Sequence, residues 1–491
     1  MKMDYKNLKF DENSLFVLDF SAVVNIKSHN ELEKLSTYIL ENKIDVAISE
    51  EFFENYEVVI KSQNKEQQII AKMTYEFLNA LEKNKCLMHM SEIINPTEII
   101  NQLYSNPRVC FIYYKNSEFS QKVMEFYEKL KCKCIIVDEQ GNLNFCNDKL
   151  QIKNQSLCII DDDIQSDDYF SIKFVPEFGA QVKTKDNEYY KLGHQIDRGG
   201  EGTIYDCSKK GYVIKIYHDK MLNLLRLKKI MMMEKKQICY DGLCWPEKVV
   251  YDINGNPIGY MMKKIAGKSL DFVFDGCQCV VENFPMWKKE NLINLAIDIL
   301  QKIQYLHLFG IIIGDLRFKN IIISDDGIPS LVDLDSCQID NIPSPTGYSD
   351  FTPPELQKVE FKKQLRTYEN ENFSCAVLVF KILFCGAHPY DQKNGADTIE
   401  EEIAKMSFPY PESITGDYSK IPFGDYNNIW DFTPVQMQNV FTDIFKYGKR
   451  YSIQELILML KTYKKFIDIK GNKMPALNKI VFSSQLDLEE L

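Results

Sequence analysis

The chain has 491 residues, 45% of them hydrophobic and 26% charged, with a formal net charge of −11 and a pI near 5.3. That length holds two or three domains of ordinary size, and the acid excess excludes a broad basic surface for general nucleic-acid binding. Fourteen cysteines are scattered without zinc-finger pair spacing, so they read as reduced, mostly buried thiols.

SLFVLDFSAVV reads as a strand ending in Asp19, with a helix from about Asn30 to Asn42. IDVAIS and EEFFENYEVVIKS repeat strand then helix, and RVCFIYY, VMEFYEKL and KCIIVDE continue the alternation. This pattern predicts an α/β domain with a parallel sheet over residues 1–165. Side chains at the carboxyl ends of such strands face a crevice, and Asp19 is placed there. The acidic run from Asp161 to Asp168 reads as a solvated connector. No apolar run approaches the ~18 residues that span a bilayer, and the chain opens on no charged and apolar leader. The expectation is a cytoplasmic protein without a membrane span.

Further on, IDRGGEGTIYD sets Gly199, Gly200 and Gly202 between Ile196 and Ile204, as in a hairpin whose turn lets backbone approach phosphate. YVIKIY alternates as a strand and presents Lys215, and LLRLKKIMMMEKKQI has helical spacing with a single acid, Glu234. VVYDINGNPIGYMMKKIAG reads as two strands joined at Asn254 and Gly255, followed by a connection near Met262 and Lys263. IGDLRFKNIII supplies Asp315, Arg317 and Asn320, and SLVDLDS supplies Asp333 eighteen residues after Asp315. Phosphoryl transfer from ATP needs a carboxylate near the accepting hydroxyl, with an amide and a second carboxylate for magnesium. Those three residue types stand at suitable intervals.

These segments resemble the eukaryotic-type protein-kinase family, with Asp315 and Asn320 matching HRDLxxxN and Asp333 the Asp of DFG. RGGEGTIY, CWPEKVVYD, IIIGDLRFKN, LVDLDSCQI and YSDFTPPEL are similar in wording to a bacterial branch of kinase-like proteins, over roughly residues 180 to 465. The resemblance implies an α+β bilobal kinase-like fold, with an N-lobe over 166–265, a C-lobe over 266–465 and a tail over 466–491. It implies ATP under Gly199, Gly200 and Gly202, Lys215 on the phosphates with Glu234 as its partner, and adenine beside Met262 and Lys263. It further implies Mg²⁺ or Mn²⁺ on Asn320 and Asp333, with Asp315 as the base toward a Ser or Thr hydroxyl. Arg317 takes the place of the usual Lys at the γ-phosphate. Three departures stand out: Asp197 replaces the first loop Gly, Ile313 and Gly314 replace the His and Arg of HRD, and Asp335 replaces the Gly of DFG. Without that Arg, activation by loop phosphorylation is not expected.

On LDFSAVV and the acids heading the EEFFENYEVV helix, the front half resembles a PIN-type metal-dependent ribonuclease domain. Two-metal cleavage needs converging carboxylates, which Asp19 with Glu51 or Glu54 could supply. Such domains offer a further Asp after the next long strand; here Asn116 stands at that point, with Glu118 two residues on. Three readings stay open for this half: a degenerate PIN-like domain, an active nuclease, or another α/β module. For the whole chain the resemblance implies a Ser/Thr protein kinase acting on itself or on a protein partner. The alternatives are an ATP-binding pseudokinase scaffold, or a nuclease gated by the kinase half in a bacterial defence or stress system. Nucleic acid is not expected as a partner of the kinase half and is left open for the front domain.

Overall fold

The computed structural model describes residues 5, 8–90, 96–156, 169–413, 415–424 and 426–470. The acidic connector from Asp161 to Asp168 lies outside the described residues, as does the tail beyond Lys470.

In the front half, β1 (Leu15–Leu18), β2 (Asp45–Ser49), β3 (Leu87–Met90), β4 (Val109–Tyr114), β5 (Lys133–Val137) and β6 (Leu143–Cys146) form one sheet, ordered β3-β2-β1-β4-β5-β6. The first five strands pair in parallel, and β6 closes the edge antiparallel to β5. Around them lie α1 (Phe20–Asn25), α2 (His29–Glu41), α3 (Glu50–Ile60), α4 (Lys65–Lys83), α5 (Pro96–Leu103), α6 (Glu118–Glu125) and α7 (Lys149–Ser156). All six residues of β4, VCFIYY, are buried, as a strand covered on both faces requires. Strand order reverses between β1 and β4, so a crevice opens at their carboxyl ends, where Asp19 and Asn116 follow.

The middle of the chain is a six-stranded barrel of β7 (Gln181–Lys183), β8 (Tyr189–Arg198), β9 (Gly202–Cys207), β10 (Tyr212–Tyr217), β11 (Lys248–Tyr251) and β12 (Pro257–Lys263), with α8 (Leu224–Lys236) against it. Alternation decides its two faces. Ile214, Ile216, Tyr205 and Met261 fill the barrel, whereas Val213, Tyr217, Tyr260 and Met262 pack toward α8. Lys215 pairs with Tyr260 across the β10–β12 ladder and so shares that second face.

Short elements follow: α9 (Leu270–Val273), α10 (Cys277–Asn283), α13 (Ile399–Lys405), α14 (Tyr426–Asp431), and β13 (Lys268–Ser269) through β14 (Ile311–Ile312), β15 (Ile321–Ile323), β16 (Pro329–Leu331) and β17 (Gln338–Ile339). The framework of this region is α11 (Lys289–Leu308), α12 (Tyr368–Leu383), α15 (Val435–Phe445) and α16 (Ile453–Lys470). Helix α16 runs through the expected boundary at 465 as far as Lys470. One hydrophobic core extends from Phe16, Val46 and Ile112 of the front sheet into Leu306, Phe373 and Leu456 of this helical region. Among the described residues no helix is long and apolar enough to cross a membrane, and the thirteen described cysteines are free.

Candidate active site

The turn between β8 and β9 holds the expected glycines. The Gly199 N–H donates to the Gly202 carbonyl at 2.9 Å, closing the hairpin. A Cβ on Gly202 would lie 2.6 Å from the Ile216 carbonyl oxygen, so only glycine lets β9 approach β10 this closely.

Lys215, on β10, is buried and reaches across to the segment after β16. Its Nζ donates to Asp333 Oδ1 at 2.6 Å and to Asp335 Oδ1 at 3.0 Å. Burial works against the ammonium, but the two carboxylates outweigh it and hold its pKa above the ordinary lysine value. Asp335 is sealed: Tyr260 donates to Oδ1 at 2.9 Å and Tyr217 to Oδ2 at 2.5 Å. Burial alone would raise its pKa, yet Lys215, Arg226 and the Tyr217 hydroxyl hold it below the usual carboxylate range. Asp333 adopts φ +58°, a left-handed conformation that Asp tolerates better than most residues. Its side chain is 41% exposed, so a carboxylate edge is open to solvent.

The catalytic-loop residues converge from the other side. Asn320 Nδ2 donates to the Asp315 carbonyl at 3.0 Å and to Asp315 Oδ2 at 3.2 Å, leaving its side-chain Oδ1 for another group. The Asn320 carbonyl accepts from Val332 N at 2.9 Å, tying this loop to the residue before Asp333. Arg317 Nη2 lies 3.3 Å from Asp315 Oδ2, so in this structure it pairs with the expected base. Gly314, at φ +73°, donates its N–H to Glu371 Oε1 at 2.8 Å, and His307 Nε2 meets Glu371 Oε2 at 2.6 Å. Glu371 thereby fixes the turn that carries Asp315. Arg450 Nη2 meets Glu355 Oε2 at 2.8 Å.

Two expectations need correction, those for Glu234 and Glu54. Glu234 does not meet Lys215: its nearest ion-pair partner is Lys248, at 3.9 Å. Helical spacing placed it on α8, but the face of α8 toward the cleft carries Lys229, which donates to the Ser336 and Pro343 carbonyls at 3.3 and 3.0 Å. Lys263 turns its side chain to Gln63 of the front domain at 2.5 Å, leaving only its backbone for an adenine. Met262 is buried among Val213, Tyr217 and Tyr260, on the side of the ladder that carries Lys215. Glu54 pairs with Lys461 at 2.8 Å and does not line the front-domain crevice.

That crevice is a cavity of about 40 Å³ lined by Asp19, Ser21, Glu51, Asn55 and Glu118, and roofed by Gln304, His307 and Gln454 of the back half. Asp19 caps α1, accepting from Ser21 N at 3.2 Å and from the Ser21 hydroxyl. Burial lifts its pKa to about 6 against those bonds. Burial, then the charges of Glu118 and Asp19, push Glu51 well above the carboxylate range, and burial lifts Glu118 to about 7. Among the described residues no three His, Cys, Asp or Glu side chains are grouped as metal ligands. The roof is bonded down: Gln304 Nε2 reaches Asn55 Oδ1 at 2.8 Å and Gln454 Oε1 at 2.9 Å, and Asn25 Nδ2 reaches the Leu308 carbonyl at 2.7 Å.

The residues that sequence reasoning passed over are Tyr217 and Tyr260 as seats for Asp335, and Arg366, which donates to the Ser344 and Thr346 carbonyls at 3.2 and 2.6 Å. Strand alternation in YVIKIY already set Tyr217 on the face of Lys215. No local signal marked Arg366.

The family model for the protein kinase domain matches residues 262–457, and the back half has a kinase-like fold. Domains of this class use ATP with a divalent metal ion. Among curated proteins, the chain is similar to Protein kinase YegI of Escherichia coli K12, 29% identical over 242 residues, covering 47% of this chain and 37% of that protein. It is also similar to a probable cAMP-dependent protein kinase catalytic subunit of Encephalitozoon cuniculi, 23% identical over 166 residues, covering 33% of this chain and 48% of that protein. A probable serine/threonine-protein kinase, irlC of Dictyostelium discoideum, is 31% identical over 109 residues, covering 21% of this chain and 7% of that protein. The chain thus spans less than half the length of each of these relatives.

Proposed function

We propose that the chain is a protein kinase that transfers the γ-phosphoryl group of ATP to a Ser or Thr hydroxyl, on itself or on a protein partner. The observation that carries this reading is the 2.6 Å contact of Lys215 with Asp333 across the lobes, beside an Asp315 already bonded to Asn320. Lys215 and the Gly199–Gly202 turn receive the phosphates, and Asp315 orients the acceptor hydroxyl and takes its proton. Asp333 and the side-chain Oδ1 of Asn320 are oxygen donors that suit Mg²⁺ or Mn²⁺, an ion that neutralises charge on the phosphates. Arg317 lies 3.3 Å from Asp315 and is the nearest cation for a γ-phosphate displacing that contact. Ser or Thr as acceptor follows the names of the more distant relatives.

The roofed crevice favours a docked structural role for the front half over nuclease activity, because a phosphodiester would have to displace Gln304, His307 and Gln454 to reach Asp19. Labelled ATP tests the kinase reading. Transfer to the chain or to a general protein substrate is expected, and Asp315→Ala or Asp333→Ala should lower it at least about 100-fold. Equal labelling by wild type and both variants would refute it. Mg·ATP binding with no transfer would leave a nucleotide-binding scaffold instead.

A further inference from the structure

We infer that Asp335, and no acid on helix α8, is the positioning residue that fixes Lys215 for the phosphates. This rests on the kinase reading above. The kinase pattern takes that partner from a helix which can swing in and out; here it comes from the segment that also carries the metal-binding Asp.

Three features of the seat support this. Asp335 is 2% exposed, and both its oxygens are occupied by donors from two adjacent strands: Lys215 and Tyr217 on β10, and Tyr260 directly across on β12. A carboxylate filled and enclosed in this way has no face left for a cation, whereas Asp333 keeps one open to solvent. The division of labour within Asp-x-Asp is therefore one residue for the metal and one for the lysine. Second, α8 turns cations toward the same centre. Arg226 meets Glu201 at 2.8 Å beside the Gly turn, and Lys229 holds the backbone at Ser336 and Pro343. Third, the one acid of α8, Glu234, looks away toward Lys248. The Lys215–Asp335 bond itself uses no side chain of α8, so the lysine's carboxylate partner is built into the barrel and the metal segment, with α8 only bracing the backbone beside it.

The test compares full-length wild type, Asp335→Asn, Glu234→Gln, Lys215→Ala and the Lys215→Ala/Asp335→Asn double variant, reading Mg·ATP affinity by calorimetry and kcat and KM by phosphoryl transfer. Loss of one charged hydrogen-bond partner predicts a fall in kcat of about 10- to 100-fold for Asp335→Asn. Glu234→Gln should stay within about twofold, and Asp335→Asn should add nothing once Lys215 is Ala. Tyr217→Phe and Tyr260→Phe, which leave the charge pair in place, guard against a folding artefact: each should lower kcat less than Asp335→Asn with KM little changed. Wild-type kcat in Asp335→Asn, or an equal loss in Glu234→Gln, would overturn the assignment. If wild type binds Mg·ATP but transfers no phosphate, the kinase reading fails alone. The seat is then judged by affinity, which Asp335→Asn should weaken several-fold and Glu234→Gln should not; equal affinities would overturn it. A wild type that binds no nucleotide overturns both.

Discussion

Arg366→Ala is the substitution that best probes how the segment between Asp333 and α12 is held without phosphate. The guanidinium is buried, donates to the Ser344 and Thr346 carbonyls and stacks 4.1 Å from the Phe361 ring centroid. It lies over Gly314: a Cβ there would sit 2.8 Å from Arg366 Nη1 and 2.6 Å from Ser344 Oγ. The glycine that replaced the catalytic-loop arginine is thus the space an arginine from further along the chain occupies. Two bonds from a charged donor are worth about 1.5–3 kcal/mol each, and the ring contact adds about 1 kcal/mol. Against this stands the cost of burying the charge, which pulls the guanidinium down to about 10 despite Glu371 and Asp315; that fall from 12.5 corresponds to roughly 3 kcal/mol. The net loss on truncation is about 1–4 kcal/mol, an increase of about 5- to 1,000-fold in local opening. Hydrogen exchange over residues 338–352 should report it, together with faster proteolysis of that stretch. Arg366→Lys should fall between, since an ammonium cannot span both carbonyls as a planar fork does. Exchange within threefold of wild type in Arg366→Ala would refute the reasoning, and so would activity that depends on phosphate in this segment.

Gly259→Ala should abolish a folded barrel, because the new Cβ would lie 1.9 Å from the Lys215 carbonyl oxygen; loss of Mg·ATP binding and of barrel strands in hydrogen exchange are the readouts. His388 is held neutral, its Nε2–H donating to the Asp350 carbonyl at 2.8 Å and its Nδ1 accepting from Tyr390 N at 3.2 Å, and burial lowers its pKa to about 3. The unfolded chain then binds the extra proton first, so this stability is complete above pH 6.5 and is lost as pH falls, by about 2 kcal/mol at pH 5. His388→Gln should flatten the acid limb of a melting-temperature profile, and an unchanged limb would rule the residue out as its source. Asn116→Asp should loosen the front domain from the back half, raising hydrogen exchange in β4 and the Asp340 segment, whereas Asn116→Ser should do so less.

Much of the back half was legible because its candidate site residues are carried by short loops between adjacent strands. Asp315 and Asn320 sit on one turn, and a single ladder bond through Val332 brings Asp333 to them, so spacing along the chain nearly determines proximity. Lys215 was legible for a similar reason, since strand period and the glycine turn before it fix its face. Glu234 failed because a helix of mixed lysines and methionines, LLRLKKIMMMEKK, gives little to say which side turns inward. Glu54 failed for a related reason: it lies one helical turn from Glu51, close enough in sequence to share a face, but Lys461 from a distant helix claims it. Strand alternation predicted the parallel front sheet. The contact between the halves left almost no sequence trace, because its polar members, Asn25, Asn55, Gln304 and Gln454, are residues that a sequence presents as solvated.

That contact gives a physical reason for the residue that departs from the nuclease pattern. Asn116 follows β4 at the sheet's switch point, where a metal-binding domain would place a carboxylate. In this fold its Nδ2 donates to Asp340 Oδ1 at 2.8 Å, and Asp340 also faces Lys236 of α8 at 3.4 Å. The Asn116 carbonyl accepts from the Tyr368 hydroxyl at the start of α12, and Gly310 has no side chain because Asn116 Cβ would lie 2.8 Å from one. A carboxylate at 116 would set two like charges within hydrogen-bond distance in a buried place, where one of them must give up its charge or the surfaces must part. An amide supplies the donor that Asp340 requires. Asn116 therefore fastens the end of β4 to the segment between Asp333 and α12, which carries Asp335 at one end and Arg366 at the other. An amide at 116 is therefore what this contact requires, and it makes the front sheet part of what holds the segment after Asp333 in place.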